Sequence, residues 1–185
     1  KGLSGAQIVV YPAQNKAAAL PDDIAEAVAP DAGAIVGNTC LYGATSGGLF
    51  AAGRAGTRFA VRNSGADAVI EGCGANGCEY MTGGRVVILG PVGDNFAAGM
   101  TGGRAYIFDP ERVLETRLNP DSVIMREMPP AAEEIAKKLI ERHLKETKSS
   151  VAKRILGDRP QAVSSVEEIA PIDILRLEEG GIEAA

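Results

Sequence analysis

Met81-Thr82-Gly83-Gly84-Arg85 and Met100-Thr101-Gly102-Gly103-Arg104 are the same five residues written twice, nineteen positions apart. Stepping by nineteen elsewhere keeps the register. Gly65, Gly84 and Gly103 fall in one column with Ser46 above them, and further columns join Gly37 to Gly56, Gly53 to Gly72 and Gly74 to Gly93. Two apolar columns run alongside: Phe50, Val69, Ile88 and Ile107, and next to it Leu49, Ala68, Val87 and Tyr106. Self-similarity at a fixed period marks a stacked architecture in which each repeat buries its apolar face only against its neighbours.

Nineteen residues are too few for a helix pair with two turns. Each copy instead holds a short β-prone run, such as Arg85-Val86-Val87-Ile88-Leu89 or Arg58-Phe59-Ala60-Val61-Arg62, closed by Gly or Asn. Recurrent glycines mean that one corner of every coil needs positive φ or close backbone approach. The expected fold is mainly β: a right-handed parallel β-helix, a single-stranded solenoid of about 19-residue coils stacked ~4.8 Å apart. Its structural positions are Gly37, Gly56, Gly65, Gly74, Gly84, Gly93 and Gly103. Phe50, Val69, Ile88 and Ile107 are expected to form an inward ladder, and Cys40, Phe59, Cys78 and Ala97 a second one. A β-sandwich would not keep a column register over several copies. The repeat extends to the N-terminus, where residues 3–10 read like residues 63–70, and residues 17–33 form an insertion outside the register.

After Asp109-Pro110 the repeat stops. Residues 111–128, with a turn at Asn119-Pro120-Asp121, read as an atypical terminal coil that caps the stack. Pro129-Pro130 opens a helix over about 131–147 whose apolar stripe is Ala132, Ile135, Ala136, Leu139, Ile140 and His143. Ser149 or Ser150 caps a second helix over 151–156, with Gly157 just beyond it. The run Ile172-Asp173-Ile174-Leu175-Arg176-Leu177 is apolar enough to dock on a surface, and the glutamate–glycine end after it reads as frayed. The organisation is therefore a β-helix domain over 1–128 and a helical appendage and tail over 129–185.

Net charge is −5, with 24 acidic and 19 basic residues, so there is no basic footprint for nucleic acid. No apolar stretch approaches the eighteen residues of a membrane span, and no signal peptide is visible, so a cytoplasmic location is expected. Arg54, Arg58, Arg62, Arg85 and Arg104 are candidates for an anion patch, against the reading of solvated coil faces. Cys40, Cys73 and Cys78 suit a reducing compartment. Cys40 and Cys78 share a column two coils apart, about 9–10 Å at the strand spacing, which is too far for one metal or a disulfide. His143 is the only histidine and shares no motif with a Cys or carboxylate, so it reads as a packed residue. Gly72-Cys73-Gly74 has no helix after it and is not a nucleotide fingerprint. No nucleophile, cofactor or metal motif is present, and no catalytic residue is expected.

The motifs together carry a specific likeness. Residues 36–47, Gly53-Arg54-Ala55-Gly56, residues 58–65 and Glu71-Gly72-Cys73-Gly74 resemble the C-terminal glycine-repeat (GXGXG) domain of the glutamate synthase large (α) subunit. So do Gly77-Cys78-Glu79-Tyr80-Met81-Thr82-Gly83-Gly84, Gly99-Met100-Thr101-Gly102-Gly103, and the helical stretches 139–144 and 152–156. The resemblance implies a β-helix without catalytic residues that holds the amidotransferase (glutaminase) and synthase parts of the enzyme. FMN and the iron–sulfur cluster would sit on those partner domains, with none bound by this chain. It further implies glutamate formation from glutamine and 2-oxoglutarate in the whole complex, and leaves the electron donor open. The chain's ends, which frame the domain from Lys1, favour a free-standing subunit over an excised piece, and a homo-oligomer is expected when partners are absent. Alternatives are a subunit of a related oxidoreductase, formylmethanofuran dehydrogenase or N-methylglutamate synthase, and an independent ligand-binding solenoid using Arg54, Arg58 and Arg62.

Overall fold

The computed structural model describes residues 1–12, 34–157 and 165–179. The insertion expected over 17–33 and the end beyond residue 179 lie outside the described residues. One strand per coil builds a parallel ladder: β1 (Ser4–Val10), β3 (Ser46–Ala51), β5 (Ser64–Ile70), β6 (Thr82–Ile88) and β7 (Gly102–Phe108). A second, two-stranded sheet joins β2 (Ala34–Val36) to β4 (Arg54–Ala55). The fold is thus a parallel β-solenoid. The N-terminal copy keeps its expected place, since Ile8 pairs with Leu49 and Leu49 with Ala68.

The uniform step of nineteen is corrected by the structure. Leu49 pairs with Ala68 and Val87 with Tyr106, nineteen residues apart, but Val69 pairs with Val87, only eighteen on. The corner that runs from Val69 to Cys73 takes four steps, where the one from Phe50 to Ala55 takes five. Side chains alternate across a strand, so a slip of one residue exchanges the two faces. The true columns are Leu49, Ala68, Val86 and Ala105, which face the interior, and Phe50, Val69, Val87 and Tyr106, which face outward. Ile88 and Ile107 do point inward, with Ile70 rather than with Phe50 and Val69.

The run Arg58-Phe59-Ala60-Val61-Arg62, expected as a strand, is also different. Arg58, Ala60 and Arg62 have φ of 55–59°, alternating with residues outside that region. The same pattern recurs at Asn76, Cys78 and Tyr80, eighteen residues on. Hydrogen bonds between coils hold this face: Ala60 N–H donates to the Cys40 carbonyl (2.9 Å) and Cys78 N–H to the Phe59 carbonyl (2.7 Å). Cys78 therefore shares its column with Leu41, Ala60 and Ala97, while Phe59 stands one residue aside. Left-handed non-glycine residues cost of order 1–3 kcal/mol each, and the shared hydrogen bonds along the stack offset that.

An apolar outer ladder on a sheet demands a cover. α1 (Pro130–Thr147) and α2 (Ser150–Gly157) supply it, packing Ala132, Ala136, Leu139, Ile140 and Ile155 against Phe50, Val69, Val87 and Tyr106. Pro130 sits in the first turn of α1, and Lys148 closes it in the left-handed conformation with its N–H on the Leu144 carbonyl (2.9 Å). Ser149 Oγ accepts from Ala152 N–H (3.0 Å) and caps α2.

Beyond the last coil, Leu114 and Val123 enter the interior core and Phe96 pairs with Leu118, so residues 111–128 close that end of the stack. β8 (Val123–Glu127) does not pair with β7, however. β9 (Val166–Pro171), from the tail, lies between them and runs antiparallel to both. Residues on both sides of position 128 thus share one sheet, and α3 (Ile172–Glu179) follows β9 directly.

Of the seven structural glycines, six stand where an added Cβ would come within 3.0 Å of the preceding coil, and at Gly37 nothing lies within 4 Å. Gly84 adds a φ of +83°, with the Ala66 carbonyl oxygen 2.3 Å from the added atom. Gly84→Ala is expected to cost more than about 2 kcal/mol, through strain and a backbone clash. Gly37→Ala should stay within about 0.5 kcal/mol. Urea unfolding of the two variants checks the contrast, and equal losses would refute the close-packing account.

Candidate functional site

A serine, a histidine and a carboxylate come together at the seam between solenoid and appendage. The shortened corner after β5 carries Glu71, and its carboxylate faces the turn that joins α1 to α2. Ser149 Oγ donates to Glu71 Oε1 at 2.5 Å, and His143 Nε2 stands 3.5 Å from the same oxygen. His143 is fully buried, stacks on Phe50 with ring centroids 6.5 Å apart, and gives its carbonyl to Thr147 Oγ1 (2.6 Å). Its Nδ1 has no hydrogen-bond partner among the described residues. Arg142, the neighbouring residue, lies over the Phe50 ring at 4.6 Å and donates to Gln7 of β1 (2.9 Å).

A serine, a histidine and a carboxylate together suggest a nucleophilic relay, but the connectivity is wrong for one. In such a relay the histidine lies between the acid and the hydroxyl and takes the hydroxyl proton. Here serine and histidine meet the same carboxylate oxygen, and Ser149 is also engaged as a helix cap. The cluster is a clamp that fastens the helices to the coils. His143 is the packed residue expected of it. Glu71, which the sequence shows only as part of a glycine motif, has no role legible there because one acid at a strand end carries no pattern. Beside the clamp a groove of about 410 Å³ is walled by Arg54, Leu89, Pro91, Asp109 and Val151.

A second buried charge holds the tail. Glu168 of β9 is buried, with Arg104 Nε at 3.2 Å from one oxygen and Arg126 Nε at 2.6 Å from the other. Arg104 also meets Glu178 of α3 at 2.5 Å. One signal for Glu168 was available, a charge inside the apolar run Val166–Pro171.

The five arginines are not gathered into one patch. Arg85 binds Asp67 on the adjacent coil through two hydrogen bonds (2.8 and 2.7 Å), and Arg58 pairs with Glu79 (3.3 Å). Arg54 Nη2 reaches the Cys73 carbonyl (3.4 Å), and Arg62 lines an open groove with Tyr80 and Thr101. The cysteines are free. Burial pushes the Cys73 thiol up to about 12 and holds Cys78 well above its ordinary value, so neither is a ready thiolate. Among the described residues no three His, Cys, Asp or Glu side chains converge as a metal site, and no helix is long and apolar enough to cross a membrane.

Three outcomes are expected. Glu71→Ala strands two buried partners and should cost about 1–3 kcal/mol, whereas Glu71→Gln keeps an acceptor for Ser149 and should cost less. Chemical denaturation of the full chain measures both, and equal costs would contradict the clamp. Glu168→Ala leaves two arginines without their shared acid and should cost about 2 kcal/mol or more, with faster hydrogen exchange in β9 and β8. Unchanged exchange there would remove Glu168 as the tail's anchor. At about pH 8, a thiol reagent should label Cys40 in the native chain, with Cys73 and Cys78 reacting only after denaturation.

Comparison with known proteins agrees with this architecture. The family model described as GXGXG motif matches residues 1–172. Glutamate synthase [NADPH] large chain of Azospirillum brasilense is 51% identical over 180 residues, covering 96% of this chain and 11% of that one. Glutamate synthase [NADH] of Schizosaccharomyces pombe is 47% identical over 172 residues, 92% of this chain and 8% of the relative. The chloroplastic ferredoxin-dependent glutamate synthase of Spinacia oleracea is 50% identical over 159 residues, 85% of this chain and 9% of the relative. The chain thus spans about a tenth of the length of these relatives. With the family model matched over residues 1–172, the chain belongs to the GXGXG family and is homologous to that region of glutamate synthase large chains.

Proposed function

We propose that this chain is a noncatalytic scaffold of glutamate synthase, positioning glutaminase and FMN/iron–sulfur synthase parts for glutamate synthesis from glutamine and 2-oxoglutarate in the cytoplasm. One observation carries the reading. Relatives whose names specify NADH, NADPH and ferredoxin match this chain at 47%, 51% and 50% identity. A segment that touched the electron donor would separate these enzymes, and a framework would not. The site chemistry supports the same reading. Ser149, His143, Glu71, Cys73 and Cys78 are engaged or buried within the chain, so its side chains brace the coils and leave shape as what it offers. In this account FMN and the cluster are held by the partner domains, and this chain moves no proton or electron itself.

The test is reconstitution. Co-expressed with glutaminase and synthase polypeptides of a glutamate synthase, the full chain should co-purify with them and raise glutamine-dependent glutamate formation. Alone it should release no ammonia from glutamine. Glutaminase turnover by the isolated chain, or coupled synthesis unaffected by leaving it out, would defeat the proposal.

A further inference from the structure

The two edges of the main sheet are built differently. β8 is a short antiparallel edge strand bearing Arg126 and Glu127, and charge and brevity are the usual protections of an exposed edge. β1 has neither. It is seven residues long, Ser-Gly-Ala-Gln-Ile-Val-Val, with no charged residue and no proline. Six of its seven residues are exposed, including Ile8 (41%) and Val9 (36%). Among the described residues no strand lies on its far side.

Backbone geometry says what such an edge takes. The Val10 carbonyl accepts from Ala52 N–H (2.9 Å), so Val10 faces the stack. Backbone groups alternate in direction along a strand, and Val9 therefore turns its N–H and carbonyl outward. Another extended strand pairs such a row group for group, in place of water. Its side chains must also continue two apolar surfaces at once: Ile8 stands over Leu49 of the interior, and Val9 over Phe50 of the outer ladder.

We infer that β1 pairs antiparallel with β1 of a second copy of this chain, about a two-fold axis normal to the sheet. Residues directly opposite in an antiparallel pair share a face, so interior meets interior and outer ladder meets outer ladder. An uncharged strand is its own complement, needing no opposite charge on its partner. Pairing of β1 with β8 would run head to tail without closing, and the charged β8 edge opposes it. The isologous pair closes as a dimer and leaves each C-terminal cap free. The inference stands apart from the scaffold reading, since self-pairing can hold or fail whatever the chain positions.

Sedimentation velocity on the full chain over a wide concentration range, with hydrogen exchange read at β1, tests the pairing. A reversible dimer is expected, with the Val9 amide slowed in proportion to the dimer fraction. Val9→Pro removes an outward donor without touching the bonds to β3, and should weaken association at least about tenfold. If that variant fails to fold, Ile8→Lys sets a lysine on the same edge and should do likewise. A chain monomeric at every concentration overturns the inference, as does a dimer whose Val9 amide exchanges at the monomer rate. So does a dimer that either folded variant leaves equally tight. An edge that stays open alone and gains protection only with glutaminase or synthase chains would assign it to a partner's strand instead.

Discussion

Each inner coil of the described solenoid is hydrogen-bonded through its backbone to the coils on either side, and that shared bonding sets the remainder of the structure. Ala60 donates toward one neighbouring coil while Arg62, two residues on, donates toward the other. A coil can therefore differ from its neighbours most readily at a corner or at the start of a strand, where fewer backbone groups are shared. Smaller register shifts fall at the strand starts, between Ser64 and Asp67 and between Thr82 and Arg85. The departure that exchanges the faces, four steps from Val69 to Cys73 instead of five, is at a corner. It also carries Glu71, the residue that receives the appendage. Glycines crowd the same regions because the coils approach too closely there for a Cβ.

The helical appendage follows from the parity of the strands. With one coil shortened, the outward column becomes Phe50, Val69, Val87 and Tyr106, all of them large or β-branched and all buried. Left open, each would give up roughly 1.5–3 kcal/mol of burial. α1 and α2 recover that, and β9 seals the far end by pairing with the last coil strand. Solenoid and appendage are consequently one folding problem, although their sequences look unrelated.

The parts legible in the sequence were those with a local chemical cause. The Met-Thr-Gly-Gly-Arg pair revealed the stack because those two coils are truly nineteen apart. Pro130, Ser149 and the spacing of Ala132, Ala136, Leu139 and Ile140 revealed the helices because caps and periodicity are written in neighbouring residues. The shortened coil was hidden by the richness of the signal. Gly56 and Gly74 match at eighteen while Gly74 and Gly93 match at nineteen, so a glycine-dense chain satisfies either step. Alternating left-handed residues such as Arg58, Ala60 and Arg62 were invisible for another reason. Their conformation is imposed by bonds to adjacent coils, and nothing in Phe59 or Val61 announces it. Glu168 and Glu71 act through partners 42 and 78 residues away, beyond the reach of any local pattern.

The chemistry at the seam and the tail of this chain has a common direction. Its reactive groups are turned inward and consumed. Ser149 is spent as a cap and a donor, His143 as a packed ring, and the thiols of Cys73 and Cys78 as small apolar volume. Its long-range ion pairs, Asp67 with Arg85 and Glu168 with Arg104 and Arg126, tie coil to coil and tail to coil. What then marks the outside of the stack, among the described residues, is one end closed by residues 111–128 and another that ends on β1. On the proposed reading, recognition of such a body runs largely through backbone edges and contour, in keeping with relatives named for three different electron donors that are each about half identical to this chain.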